Sequence, residues 1–243
     1  MLMEVPLASV MSTPPEPVRF IVNPWIPRRH VTLLGGHGGI GKSTLALAIC
    51  AHVACGKAFA DLEVEQSTVL FVSLEDEASI VGLRLRQIIE TYQLPAQLVL
   101  SNLRLLDGTQ GNSALMRMND DHNAEPTSTK AFYELLDQAK GTGLIVIDNA
   151  SDAFDANENS RRSVRAFIRS LASIARQHNA AVVLLSHIDK AAAKGSAYGN
   201  NYSGSTAWHN SARSRLALIK EGDLICLVHE KANLSATAPA TYF

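Results

Sequence analysis

A chain of 243 residues, 47% of them hydrophobic, can bury a full core, which excludes wholesale disorder. Its 22 basic and 23 acidic residues leave a net charge of −1, so no global field draws it to nucleic acid or acidic lipid, and such binding needs a local patch or an assembly. Three cysteines, Cys50, Cys55 and Cys226, suit neither a disulfide framework nor a zinc site and fit a reducing cytoplasm, and no apolar run nears the roughly 20 residues of a membrane span.

Residues 1–16 have no basic signal-peptide start and read as a flexible leader ending near "TPPEP". Strand-like text from Val18 leads to "VTLLGG" (31–36), a β run stopped by glycine. "KSTLALAICAHVACGKAF" is apolar on nearly every face and reads as a buried helix. "STVLFVSLED" (67–76) is a hydrophobic strand ending in acids, "ASIVGLRLRQIIETYQL" an amphipathic helix, and "NLRLLD" a short strand. Residues 107–129 are polar and rich in turn formers, and they read as a mobile insertion.

"KAFYELLDQAK" follows as helix and "GLIVIDNA" as a strand apolar enough to be buried on both faces. "SRRSVRAFIRSLASIARQHN" is an amphipathic helix capped by Ser160, its four leading arginines read as a solvated face. "AAVVLLSHIDK" is the next strand. A Gly/Ser/Asn-rich loop then precedes a helix at "TAWHNSARS", and "RLALIK" and "DLICLVHE" form a hairpin across "EGD". Such alternation predicts an α/β fold, a doubly wound and mainly parallel sheet with a late antiparallel hairpin, in one domain over 17–243. Ligands of such sheets bind at the carboxyl ends of the strands.

One such end carries Gly36-His37-Gly38-Gly39-Ile40-Gly41-Lys42-Ser43, a full GxxxxGK[ST] match between a strand and a helix, with Thr44 next. Its glycines let backbone N–H groups wrap phosphates at a helix N-terminus. In this pattern Lys42 reaches the β- and γ-phosphates of ATP and the Ser43 hydroxyl is placed on Mg²⁺, while His37 fills a variable position. Asp148 follows four apolar residues, the position that holds the water shell of Mg²⁺. Glu75 comes first after the strand that follows the phosphate-loop helix, placed to orient or deprotonate the attacking water, with Asp76 and Glu77 starting the next helix.

These blocks, with "GSTAWHNSARSRLAL", resemble the RecA-like ATPases, and most closely the RepA-like group of AAA-domain ATPases, over roughly residues 17–235. That group includes the hexameric replicative helicase of broad-host-range plasmids. The resemblance implies a RecA-like P-loop sheet, ATP hydrolysis between subunits of a hexameric ring, and translocation on single-stranded DNA. It makes Glu75 the catalytic glutamate, Asp148 the Walker B residue, and His187 a γ-phosphate sensor. It makes the loop 191–204 DNA-facing, with Lys194, Tyr198 and Tyr202 available to it, and Arg213 the arginine offered to the neighbouring subunit's ATP. One departure is "HEKANLS", where Lys231 is followed by Asn233 instead of the arginine of a Lys-x-Arg pair. Arg213, Arg215 and Lys231 all stay open as the trans-acting residue.

Two other readings remain beside the motor: a regulator or recombination mediator of the same fold that works by nucleotide-dependent oligomerisation, and a nucleotide-binding scaffold with little turnover. "SHIDK" (186–190) contains the residue types of a hydrolase triad, but no GxSxG surrounds Ser186, and neighbouring strand residues point to opposite faces.

Overall fold

The computed structural model describes residues 4–118, 126–187 and 206–243. Expected leader residues contain a short helix α1 (Leu7–Ser12) that buries no side chain. Strands β1 (Phe20–Val22) and β2 (Ile26–Pro27) pair antiparallel around Trp25, which is 1% exposed and belongs to the core. β3 (Val31–Gly36) then runs into α2 (Lys42–Cys55), which is buried along almost its whole length and ends at Gly56, in the left-handed conformation with φ 71°.

Next come β4 (Val69–Ser73), α3 (Ala78–Thr91), α4 (Ala96–Asn102) and β5 (Leu103–Asp107). Two-residue strands β6 (Met116–Arg117) and β7 (Thr127–Ser128) precede α5 (Lys130–Gln138) and β8 (Leu144–Asp148). α6 (Ala150–Ala153), β9 (Phe154–Asp155), α7 (Arg161–Gln177) and β10 (Ala181–His187) follow. α8 (Thr206–Ser211), β11 (Ser214–Glu221), β12 (Leu224–Ala232) and β13 (Thr241–Tyr242) complete the described chain.

The main sheet runs β13-β12-β11-β3-β10-β8-β4-β5. Pairings from β11 across to β5 are parallel, and the late hairpin β11–β12 is antiparallel, as the sequence predicts. Side-chain alternation explains the continuous apolar runs. Val69, Phe71, Leu144, Val146, Val183 and Leu185 face a core layer beneath α2. Leu70, Val72, Ile145, Ile147, Val182 and Leu184 face a second layer with α5 and α7. A strand buried on both faces has no polar side left to show. Ser160 caps α7 as expected, its Oγ accepting from the Ser163 N–H at 3.3 Å.

The described parts of 107–129 make contacts with the rest of the fold. β6 pairs with β7 and with β9, and the Leu115 N–H donates to the Ala153 carbonyl at 2.8 Å. Leu115 and Met116 are buried because Phe154, on β9, needs covering on that side of the second layer. Residues 119–125 and the loop 191–204 lie outside the described residues. Among the described residues no helix is long and apolar enough to cross a membrane.

Candidate nucleotide site

β3 delivers the chain to Gly36, and residues 37–41 turn it into α2. Gly39 (φ 76°) and Gly41 (φ 100°) take left-handed conformations that cost L side chains energy. Gly36 is needed for space: a Cβ there would stand 3.0 Å from Ile40 Cγ2 and 3.1 Å from the Leu218 carbonyl oxygen. No side chain caps α2 at Gly41, so its first N–H groups are left for an anion.

Lys42 is buried, and its Nζ donates to the carbonyls of Gly36 (2.8 Å) and His37 (3.0 Å), which aim the ammonium back along the loop. Burial lowers its pKa, while Asp148 and Glu75 pull it back up. Asp148 ends β8 and is 4% exposed. Burial pushes its carboxyl up to about 6; a hydrogen bond from Ser43 opposes the shift, the charges of Glu75 and Asp76 add to it, and that of Lys42 opposes it.

A carboxylate desolvated this way gains from a nearby cation. Ser43 and Asp148 together offer hard oxygen donors. Among the described residues no three His, Cys, Asp or Glu side chains form a metal cage. A pair of protein oxygens suits Mg²⁺, which keeps waters and takes its other ligands from phosphate. The donor set fits the ion.

Glu75 stands just beyond β4, whose last residue Ser73 is in register with Asp148. Its Oε2 accepts from Asn149 Nδ2 at 2.7 Å. Asn149 is itself fixed, its Oδ1 accepting from the N–H groups of Ser151 (2.9 Å) and Asp152 (3.2 Å) as it caps α6. Asp76 is paired with Arg84, and Glu77 stands at the N-terminus of α3. Sequence reasoning missed Asn149, although an Asn ahead of "ASD" carries the signal of a helix cap. It also missed Asp152, whose carboxyl is raised by burial and then by Glu75, and lowered by His187.

Asn149→Ala removes the donor that orients Glu75 without touching the phosphate loop. We expect ATP turnover to fall about tenfold with nucleotide affinity unchanged, measured as kcat against the Kd of a fluorescent ATP analogue.

His187 is the last residue of β10, in register with Gly36 and therefore beside the loop. Ser186 is 6% exposed and alternation turns it to the other face, so the two do not act together. The three trans-acting candidates differ. Arg215 is 3% exposed and pairs with Glu230 at 2.5 Å. Lys231 Nζ donates to the carbonyls of His209, Asn210 and Ala212, tying down the end of α8. Arg213 is exposed, and its backbone N–H donates to the Val31 carbonyl at the start of β3. Val31 is a strand's length from Gly36, roughly 16 Å at about 3.3 Å per residue, so Arg213 sits at the end of the sheet opposite its own phosphate loop.

Beside the loop opens an apolar pocket of about 270 Å³, lined by Ile40, Gly41, Thr44, Ile88, Tyr92 and Phe243 among others. It touches the loop and α2 together.

A family model described as an AAA domain matches residues 1–193, most of the chain. The chain belongs to this AAA domain family. The matched span of this AAA domain includes the phosphate loop, Glu75, Asp148, Asn149 and His187, and leaves Arg213 outside. Among solved structures, the AAA domain is similar to the RadB recombinase at 17% identity and a TM-score of 0.59, covering 90% of this chain and 88% of that one. It is similar to a second structure, solved as an ATPase domain, at 13% identity and a TM-score of 0.59, covering 88% and 81% respectively. No curated protein matches the chain. At such identities the likeness establishes the fold alone, the RecA-like α/β fold of these structures.

Proposed function

We propose that this AAA domain hydrolyses ATP with Mg²⁺ as one subunit of a ring, most closely a replicative helicase-type motor on single-stranded DNA. The observation that carries the reading is the convergence of Lys42, Ser43, Asp148 and Glu75 at the carboxyl ends of β3, β8 and β4 in one sheet, with β10 between β3 and β8. Residues 36–44 wrap the phosphates, and the apolar pocket beside Thr44 takes the base. Ser43 and Asp148 would hold Mg²⁺, which supplies charge neutralisation to the phosphate oxygens.

Glu75, aimed by Asn149, accepts a proton from water as its oxygen bonds to the γ-phosphorus and the bond to the β–γ bridging oxygen breaks, releasing ADP and phosphate. Lys42 stabilises the charge that collects on the transferred group. Arg213 is remote from its own loop and exposed, which suits an arginine supplied in trans, as in a heterologous ring contact. Arg215 and Lys231 are spent on internal partners. His187, beside Gly36, is the proposed γ-phosphate sensor. The buried free thiols of Cys50, Cys55 and Cys226 suit the cytoplasm we propose for the protein.

The second reading, a regulator or mediator that oligomerises with nucleotide, is favoured by one feature: Lys231 is bound to α8 and position 233 is Asn, so no Lys-x-Arg pair couples neighbours there. ATP turnover with and without single-stranded DNA, with particle mass measured in both states, separates the two. A ring whose turnover rises with DNA is expected for the motor. A monomer indifferent to DNA contradicts it while leaving the ATPase reading standing.

A further inference from the structure

We propose that the groove between α7 and the corner joining α8 to β11 binds the phosphodiester backbone of nucleic acid without reading its bases. α7 carries Arg161, Arg162, Arg165, Arg169 and Arg176 and no acidic residue. Its apolar face, from Val164 to Ala175, is buried, and all five arginines are exposed on the other side. Fifteen residues of helix span about 22 Å at 1.5 Å per residue, so the charges form a line and not a cluster.

Two cavities follow that line and share Arg165 and Arg169. One, of about 540 Å³, is bounded by Arg161, Arg162, Arg165, Ala166 and Arg169. The other, of about 410 Å³, continues past Arg176 to His30, Asn210 and Arg213. Among the described residues neither is lined by Asp or Glu. Among the described residues, Arg165, Arg169, Arg176 and Arg213 form no ion pair. Like charges four residues apart weaken a helix, and among the described residues no ion pair offsets those of Arg165, Arg169 and Arg176. In a chain whose charges balance overall, this is the local patch that polyanion binding requires.

The chemistry selects among polyanions. Guanidinium groups match phosphate oxygens in pairs, which ammonium groups do not. Among the described residues no Phe, Tyr or Trp lines either cavity and His30 is the one ring, so contact runs chiefly through the backbone. A protein partner would bring apolar anchors to a pocket centre, and this groove gives it little beyond Val31, Ile168 and Ala172. A linear, unbroken, all-arginine track fits a strand of phosphates. The site deepens the DNA-motor reading, with the arginines of α7 facing the phosphates and Arg213 at the groove's rim left to the neighbouring subunit, and it needs neither Glu75 nor ATP.

The test uses the whole chain with Arg165→Gln, Arg169→Gln and Arg176→Gln combined, and fluorescence anisotropy with labelled mixed-sequence oligonucleotides, single-stranded and duplex, across a salt series. Wild type is expected to bind, with log affinity falling linearly with log salt. The triple variant should lose at least about tenfold at low salt and show a slope shallower by about 2 to 3, with DNA-free ATP turnover unchanged and the melting temperature no lower. The matching triple Lys variant should keep most of the slope, since charge and not the fold sets it. Loss on the single strand alone or on the duplex alone names the natural source of the phosphates.

Wild type that binds neither form, or a Gln variant with unchanged slope, overturns the proposal. A Gln variant that alters particle mass but not DNA binding assigns the groove to an acidic neighbouring subunit instead. If turnover ignores DNA while the variant still loses binding, the motor reading fails and the groove stands.

Discussion

A Lys42→Ala protein is expected to fold and to lose ATP turnover by at least about 10²- to 10³-fold, the scale set by removing one preorganised charge from a transition state. The side chain is buried, points along the loop through two carbonyl contacts, and has its charge disfavoured by burial. Such an ammonium is a poor stabilising element for the fold and an effective one for phosphate, because a dry site strengthens its field. Its removal leaves the Gly36 and His37 carbonyls without that donor, a stability loss of about 1–2 kcal/mol that thermal melting detects. Phosphate release by the purified variant checks the larger effect. Turnover near the wild-type rate would remove Lys42 from the chemistry.

Glu75→Gln is the second large effect. Glutamine has the same shape and can still accept from Asn149 Nδ2, so the site stays assembled. What it lacks is a basic oxygen for the water proton. Turnover is expected to drop by about 10²- to 10⁴-fold, the usual contribution of a positioned general base, with nucleotide affinity retained. Single-turnover hydrolysis alongside equilibrium nucleotide binding measures both. If Glu75 merely begins α3, as Glu77 does, neither quantity changes.

The two variants also probe how the site holds its charges. Asp148 is pushed up to about 6 chiefly by burial, and Lys42 lowers it. Removing Lys42 therefore makes the Asp148 carboxylate harder to ionise. Gln at 75 removes a like charge and acts in the opposite direction on Asp148.

Much of this was legible in the sequence because it depends on local chemistry. A phosphate loop needs glycines and a lysine at fixed spacing, and a strand buried on both faces must be apolar throughout, so its polar end marks the site. β6, β7 and β9 were not legible: each is two residues long and pairs across the chain, leaving no periodicity to read. The seven residues of α4 were equally silent. Asn149 was readable as a cap, but its bond to Glu75 joins the ends of two neighbouring strands and exists only in the folded sheet. Arg213 and Arg215 look equivalent in "SARSRLAL", and only the pairing of β11 with β12 buries one against Glu230 and leaves the other exposed. The arginines of α7 read as a solvated face until the structure set Arg213 across the groove from them.

At the centre stands the proposal that this AAA domain turns over ATP at residues 36–43 with a divalent cation held by Ser43 and Asp148. The most direct measurement is steady-state phosphate release by the purified wild-type chain in Mg²⁺ and in excess chelator, with Lys42→Ala as the control. Turnover in Mg²⁺ is predicted, and chelator and Lys42→Ala should each abolish it. Nucleotide binding with no phosphate release in Mg²⁺, at any protein concentration that permits assembly, would contradict it.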